Sequence, residues 1–301
     1  MSGASGGIAP VDQAIPSRPP RRALHGSDFT WSLAFIVPYA AMFAAFAAYP
    51  IVYALWMGAK PSLAAALFAD PRYLRAALNT VVFAAVAVNL QMALALMLSG
   101  FFARPRRWIK LLLVIYLLPW TLPAVPAYLS FHWMLVTRQG LPDRLLETLF
   151  GIQGPFWLGS GALGLGCDIA AAVWKWLPLW TLILLGGRMA IPRDLYDAAA
   201  LDGASSWQRF TRISVPLLAN LYLISTLISA VWTVGDYLPV LFVSGGGPAF
   251  ASSVVSTLGF SYAFDFSRPA LGVAAGLSML PVLLPILLLL LRALRRSEVR
   301  L

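Results

Sequence analysis

Long apolar stretches without charged residues constrain the fold of this chain more than any other feature of its sequence. The first runs from Phe29 to Ala59 and contains no Asp, Glu, Lys or Arg. About 20 apolar residues suffice for a helix to cross a bilayer, whereas the apolar core of a secretory signal has only about 7–15 residues. Only 11% of the chain is charged and 60% is hydrophobic, against roughly 25% charged in a typical soluble domain. The sequence therefore predicts an integral membrane protein.

Six predominantly apolar stretches, three of them with a single charged residue (Lys110, Lys175 or Asp236), predict an all-α fold with six transmembrane helices. They lie at Trp31–Met57, Leu78–Leu98, Ile109–Val136, Ile169–Gly187, Leu217–Val240 and Leu271–Leu291. Residues 1–28 are polar and rich in Pro, Gly and Ser, which predicts a disordered arm. Residues 29–293 are predicted to form the membrane domain, and residues 294–301 a short tail.

Two segments depart from a simple span. The third span contains Pro119, Pro123 and Pro126, and a proline removes a backbone donor and clashes with the preceding turn of a helix. We therefore expect this helix to be kinked or broken. The uncharged run Thr148–Cys167 is interrupted by many glycines, which favours a loop or re-entrant segment.

The distribution of basic residues gives the orientation. With the N-terminus inside, the inner segments carry 15 of the 22 Lys and Arg residues, and the outer loops carry 6. Because cytoplasmic loops of membrane proteins are enriched in Lys and Arg, we expect a multi-pass protein with both termini in the cytoplasm. The same asymmetry accounts for the net charge of +10, so this charge does not indicate nucleic-acid binding.

The predicted cytoplasmic loop between the fourth and fifth spans, residues 188–216, has an unusual pattern. Pro192 stands where a helix readily begins, and the acidic residues Asp194 and Asp197 follow in its first turns. Gly203 then interrupts the helical pattern, and a second apolar stripe follows at Trp207, Phe210 and Ile213. Two short helices with a glycine corner form a compact knob, which suits docking into a groove of another protein.

This loop resembles the Glu-Ala-Ala loop of ATP-binding-cassette (ABC) importer permeases. The match is Asp197-Ala198-Ala199, followed by Asp202-Gly203-Ala204, Phe210, Ile213 and Pro216, with Asp197 where the family usually has Glu. The segment Ser244–Pro248 and the first span, with Pro38, Tyr49-Pro50 and Tyr53, are similar to the first permease of sugar importers.

The resemblance implies a type I ABC importer permease in the bacterial plasma membrane. It implies a second permease, a separate ABC ATPase dimer, and an extracytoplasmic binding protein that delivers a sugar or a related polyol or glycoside. The residues implied in docking the ATPase are Asp197, Ala198, Ala199, Asp202, Gly203 and Phe210. The chain has no G-x-x-x-x-G-K-[ST] sequence, so ATP and magnesium are expected on the partner ATPase and no cofactor in this chain.

Candidate residues for the substrate path are Trp174, Trp232, Asp236 and Tyr237, since sugars are bound by aromatic faces together with hydrogen-bonding side chains. Aromatic residues also gather at membrane interfaces for other reasons. Lys175 is a further candidate because an ionisable group within a span often has a function, and His132 is a weaker one. Asn89 and Gln91 in the second span are equally suited to bridging helices.

Two other functions are weighed against the importer subunit. A self-sufficient secondary transporter of a small polar solute would use inverted repeats, and no convincing repeat relates spans 1–3 to spans 4–6. A membrane-embedded enzyme would need a catalytic cluster, but the acidic residues are scattered, and one cysteine with two distant histidines predicts no metal site. The sequence identifies neither the sugar nor whether the two permeases are identical.

Overall fold

The computed structural model describes residues 27–136 and 140–298, and within these ranges the regular structure is entirely helical. The described chain divides into two compact units at Tyr53. Of the predicted arm, residues 1–26 lie outside the described residues, while Ser27 and Asp28 already belong to the first helix. The last helix continues through Glu298, beyond the predicted boundary at residue 293.

The first unit contains α1 and the first residues of α2. The second unit contains the remainder of α2 and all later helices. In chain order the helices are α1 (Ser27–Phe43), α2 (Tyr49–Gly58), α3 (Pro61–Ala69), α4 (Pro71–Phe102), α5 (Arg107–Thr121), α6 (Ala124–Val136), α7 (Leu141–Phe150), α8 (Gly161–Met189), α9 (Arg193–Leu201), α10 (Ser206–Arg209), α11 (Val215–Gly235), α12 (Val255–Phe260), α13 (Pro269–Leu277) and α14 (Leu280–Glu298). Turns of π-helix lie at Ala44–Ala48, Phe210–Ser214, Val240–Ser244 and Ser261–Asp265.

The described residues contain five helical segments long and apolar enough to cross a membrane. These are Thr30–Gly58, Pro71–Phe102, Gly161–Met189, Ser206–Ser244 and Pro269–Leu294. The pair α5 and α6 passes the same test together but is bent by 94°. Counted as one broken span, it completes the six predicted spans, and the prediction of an interrupted third span is confirmed.

The break between α5 and α6 is stabilised by a lysine from another helix. The Nζ of Lys175 in α8 donates hydrogen bonds to the carbonyl oxygens of Pro119 (2.8 Å) and Trp120 (3.1 Å), and to that of Leu122. The last carbonyls of a helix have no partner within the helix, and unsatisfied polar groups are costly at membrane depth. Lys175 therefore supplies the donors that the broken helix lacks.

The fourth span begins before its predicted start at Ile169. The segment Thr148–Cys167, predicted to be a loop or re-entrant segment, is helical at both of its ends. Helix α7 continues to Phe150, and α8 begins at Gly161, where the side chain of Ser160 accepts a hydrogen bond from the Leu163 amide. A Cβ atom added at Gly161 would lie 2.6 Å from the Cβ of Ala251. This glycine permits close packing within a helix and does not end one.

The core of the second unit lies between α4 and α8, and α11 packs beside them. Buried Phe83 and Ala87 of α4 pack against α8, as do Met92 and Ala95. Gln91 of α4 donates a hydrogen bond to Ser229 of α11, so it bridges two helices, as anticipated. Asn89 instead donates to the carbonyl of Ala85 in its own helix.

Candidate functional site: a docking loop and a tryptophan-lined cavity

Helix α9 ends in a tight left-handed turn at Gly203. The Gly203 amide donates to the carbonyl of Ala200 (3.1 Å), and the Ala204 amide donates to that of Ala199 (2.9 Å). This pair of bonds is the Schellman arrangement that ends many helices. Gly203 has a φ of +78°, a conformation that glycine adopts at no steric cost. The predicted glycine corner is present.

The second short helix, α10, begins with a reciprocal cap. The side chain of Ser205 accepts from the Gln208 amide (3.2 Å), and the Ser205 amide donates to Oε1 of Gln208 (2.7 Å). This capping box satisfies two backbone donors at the start of a helix. The chain then continues without a break through the π-helical turn Phe210–Ser214 into α11. The loop is therefore continuous with a membrane-spanning helix.

Arg188, in the last turn of α8, connects this loop to the membrane helices. Its guanidinium donates to Ser99 Oγ (3.1 Å), Ser214 Oγ (2.9 Å) and the carbonyl oxygen of Leu96 (3.2 Å). The same group lies 5.5 Å from the ring centroid of Phe210, and the hydroxyl groups of Tyr196 and Ser214 are hydrogen-bonded at 2.9 Å. Polar contacts therefore join the base of the loop to α4 and to Ser214, which directly precedes α11.

The residues predicted to dock the ATPase divide into two groups. Four of them lie on the exposed surface of the loop: Asp197, Ala198, Asp202 and Gly203. Ala199 is half-buried, and so is Phe210, which stacks on Trp207 with ring centroids 5.4 Å apart. Phe210 therefore belongs to the base of the loop, beside Arg188. Leu201, which is not among the predicted docking residues, lies next to the glycine corner with its side chain 90% exposed.

A second candidate site is a cavity of about 470 Å³ between α4, α8 and α11. Trp232 lies centrally among three tryptophans, with its ring centroid 5.7 Å from that of Trp176 and 5.8 Å from that of Trp180. Polar side chains that line the same cavity are those of Gln91, Ser229, Thr233 and Asp236. The indole N–H of Trp180 is buried and has no hydrogen-bond partner in the described part of the chain.

The structure brings together two of the four residues predicted for the substrate path. Trp232 and Asp236 line the cavity, whereas Trp174 packs on Phe131 at 5.1 Å and Tyr237 stacks on Phe260 at 5.1 Å. Neither Trp174 nor Tyr237 lines the cavity.

Sequence reasoning missed Trp176 and Trp180 as cavity residues. Their spacing of four residues places both on one face of α8, and this signal was available in the sequence. His132 does not line the cavity; its Nδ1 donates to the carbonyl of Val243 at 2.7 Å, which joins α6 to the turn after α11.

The glycine-rich segment Ser244–Pro248 is tied to α8 through a buried carboxyl group. Ser244 Oγ donates to Asp168 Oδ2 at 2.8 Å, and Ser252 Oγ donates to the carbonyl of Gly247 at 2.8 Å. Asp168 is fully buried. This segment, one of the supporting features of the family resemblance, is therefore packed against the core of the membrane domain.

A third polar cluster lies at the start of α4, where Asp70 and Tyr262 lie outside the candidate membrane-spanning segments. Asp70 caps this helix and forms an ion pair with Arg72 at 2.6 Å, and it accepts a hydrogen bond from the Tyr262 hydroxyl at 2.7 Å. The hydrogen bonds from Arg72 lower the pKa of Asp70 from 3.8 to about 2. Burial and the hydrogen bond to Asp70 raise the pKa of Tyr262. The cluster joins α4 to the segment before α13.

Comparison with known protein families assigns the chain to a transport family. Residues 62–298 match the family described as the binding-protein-dependent transport system inner membrane component. The chain belongs to this family. The resemblance proposed from the loop 188–216 is confirmed, as is the all-helical importer-permease fold.

Relatives are found among both sequences and solved structures. The chain is 31% identical to the trehalose/maltose transport system permease protein MalF of Thermococcus litoralis over 68% of each chain. It is 28% identical to the lactose transport system permease protein LacF of Rhizobium radiobacter, over 83% of this chain and 88% of that protein. A bacterial alginate ABC transporter, crystallised with its alginate pentasaccharide-bound periplasmic protein, contains a chain with the same fold. Its TM-score is 0.79 at 20% identity, over 89% of this chain and 95% of that one.

Proposed function

We propose that this chain is a permease subunit of an ATP-driven importer for a sugar or a related polyol or glycoside. An extracytoplasmic binding protein would deliver the substrate, and a separate ATPase dimer would drive transport through the loop 191–216. The observation that carries the proposal is this loop, with two capped helices around a left-handed glycine, in a chain of the transport family.

The geometry of the loop supports a docking role. Its predicted contact residues Asp197, Ala198 and Asp202 are exposed, while Arg188 joins its base to α4 and to Ser214, which directly precedes α11. A rigid knob with an exposed small-residue surface fits a groove on a partner. Asp197 keeps the negative charge of the usual Glu on a shorter arm, so its basic partner on the ATPase would have to approach more closely.

The tryptophan-lined cavity supports a carbohydrate substrate. Its volume of about 470 Å³ falls within the range of about 300–1,000 Å³ for small-molecule sites. Indole faces would cover the apolar faces of a sugar ring, and Gln91, Ser229 and Asp236 offer hydrogen-bonding groups for its hydroxyls. The relatives named for trehalose/maltose, lactose and alginate transport are consistent with this class.

The proposed assembly contains a second permease, the ATPase dimer that holds ATP and magnesium, and the binding protein. The solved alginate transporter, which includes a periplasmic protein, supports the last of these partners. In this assembly both termini and the loop 188–216 face the cytoplasm, in keeping with the distribution of basic residues. The chain is proposed to lie in the plasma membrane and to carry out no hydrolysis itself.

The test is co-purification in detergent from the native host, with mass spectrometry of the bound proteins. We expect a second permease and an ATPase, and we expect Gly203→Pro to release the ATPase because proline cannot adopt the φ of +78° found there. Gly186→Ala is the control, since an added Cβ at Gly186 meets no atom within 4 Å. A chain recovered alone that moves solute in liposomes without ATP would refute the proposal and favour the secondary transporter.

A further inference from the structure

A second cavity, distinct from the tryptophan-lined one, lies at the base of the loop 188–216. Its volume is about 670 Å³, and it opens between the end of α4, the end of α8, and helices α9 and α10. Four arginines line it: Arg104, Arg188, Arg193 and Arg209. Among the described residues that line this cavity there is no Asp or Glu. Four positive charges from four separate segments thus converge on one space.

Among the described residues, no carboxylate lies within ion-pair distance of these four arginines. The described residues contain a single ion pair, between Asp70 and Arg72, so no arginine of this cavity takes part in one. Arg188 is already held by Ser99 and Ser214, which fixes its guanidinium in place. Like charges in a confined space repel each other, and a bound anion would relieve this repulsion.

Arg209 provides the second observation that points to a ligand. Its Nε is buried and has no hydrogen-bond partner in the described part of the chain. A buried donor without an acceptor is rare in folded proteins. Its Nη2 makes only a long contact of 3.4 Å with Ser206 Oγ, so the guanidinium retains donors for a ligand.

Helix dipoles account for only part of the cluster. Arg104 and Arg188 lie at the ends of α4 and α8, where a positive charge is favourable. Arg193, however, is the first residue of α9, where the positive end of the helix dipole disfavours a cation. An anion bound beside Arg193 would interact favourably both with its side chain and with this helix end.

We propose that this cavity, named here the arginine cavity, binds a phosphate-bearing anion. Guanidinium groups bind phosphate through paired, charge-assisted hydrogen bonds. The phosphate belongs either to the headgroup of an anionic phospholipid or to a soluble phosphate compound. Because Arg188, Tyr196 and Ser214 belong both to this cavity and to the base of the loop, the bound anion stabilises the position of the loop relative to α4 and α8.

The experiment is a binding titration of the full chain in neutral detergent and phosphate-free buffer. Binding is detected as a rise in the temperature of thermal unfolding. The probes are short-chain phosphatidylglycerol, short-chain phosphatidylcholine and inorganic phosphate. Saturable binding of phosphatidylglycerol but not of phosphatidylcholine identifies the ligand as a lipid headgroup. Saturable binding of inorganic phosphate identifies it as a soluble anion. Either result supports the proposal. No saturable binding of either anionic probe, or an equal effect of chloride at the same ionic strength, overturns it.

Arginine variants locate the site. Arg209→Gln and Arg193→Gln should each weaken binding by about tenfold or more, as expected for loss of a charge-assisted hydrogen bond. The second variant changes an exposed residue, so its result does not depend on the folding of Arg209→Gln. Arg212→Gln, on the same segment but outside the cavity, is the matched control. Equal weakening by all three changes, or no weakening by the first two, overturns the assignment.

This test is separate from that of the importer. It uses the purified chain without ATPase, binding protein or sugar, so it can fail while the proposed transport function stands. Gly203→Pro is not used to test anion binding, because Gly203 does not itself line the arginine cavity but joins α9 and α10, which do.

Discussion

The ammonium group of Lys175 lies within a membrane-spanning helix, and its partners are the carbonyls of Pro119, Trp120 and Leu122. An ionisable residue at this depth suggested a substrate contact. The structure instead places it at the break of the third span, where its charge also faces the negative end of α5. Its role is to hold two half-helices at an angle of 94°.

We predict that Lys175→Met destabilises the protein by about 2–4 kcal/mol, because it leaves the carbonyls at the break without a donor in an apolar environment. Thermal unfolding in detergent measures this loss. Lys110→Met, at an exposed position near the start of α5, should leave the unfolding temperature nearly unchanged. Equal stability of the two variants would show that the break does not need its lysine.

A second residue-scale prediction concerns pH. The pKa of Asp70 is lowered from 3.8 to about 2 by its bonds with Arg72 and Tyr262, so folding favours its charged form. The resulting stability, about 1–2 kcal/mol after allowance for solvent screening, is fully present above pH 4 and is lost as the pH falls toward 2. Asp70→Asn should therefore be less stable than the parent chain at pH 7, and the difference should shrink on acidification.

The control for this change is Asp265→Asn, which alters an exposed carboxylate. Its unfolding temperature should differ little from that of the parent chain at either pH. A stability difference for Asp70→Asn that stays constant between pH 7 and pH 3 would contradict the linkage.

At the scale of the helix, the loop 188–216 depends on the left-handed turn at Gly203. An added Cβ meets no atom within 4 Å, so Gly203→Ala tests backbone conformation alone. An alanine in this left-handed conformation should destabilise the turn by about 1–2 kcal/mol. We expect faster hydrogen exchange of the Ala204 amide, which caps α9, and weaker substrate-stimulated ATP hydrolysis by the assembled transporter. Gly203→Asn should restore much of both, since Asn tolerates this conformation. Identical exchange in all three proteins would show that the turn survives the change.

The same scale shows what sequence patterns can and cannot predict. The loop helices were predictable because their signals are local: a proline start, a glycine stop and an apolar stripe. The start of α8 was not predictable, because a run rich in glycine is typical of a loop. Gly161 is a helical residue that allows close approach to Ala251. Whether Gly161 forms a turn or a close helix contact depends on Ala251, which lies 90 residues away in the chain.

At the scale of the whole molecule, the candidate site was half predictable. Trp232 and Asp236 lie on one short stretch near the end of α11, and the combination of an aromatic and a carboxylate suggested a sugar contact. Trp174 and Tyr237 have the same chemistry but face other neighbours. Residue type in a span indicates what a side chain can bind, whereas helix rotation and packing decide whether it reaches the cavity.

The matched tryptophans provide a test of the cavity as a substrate path. Trp232 is 50% exposed and lines the cavity, and Trp174 is 37% exposed and does not, so the two truncations remove the same indole from comparably accessible positions. In reconstituted transporter, Trp232→Ala should lower sugar uptake at subsaturating concentration by roughly tenfold, the magnitude expected for a lost aromatic contact. Trp174→Ala should lower it by less than about twofold on the same scale. Both substitutions lie outside the loop 191–216 through which the ATPase is proposed to act, so basal ATP hydrolysis should be similar in both variants. Equal uptake by the two would place the substrate path elsewhere, whereas loss of ATP hydrolysis in Trp232→Ala alone would show that Trp232 supports the assembly of the transporter.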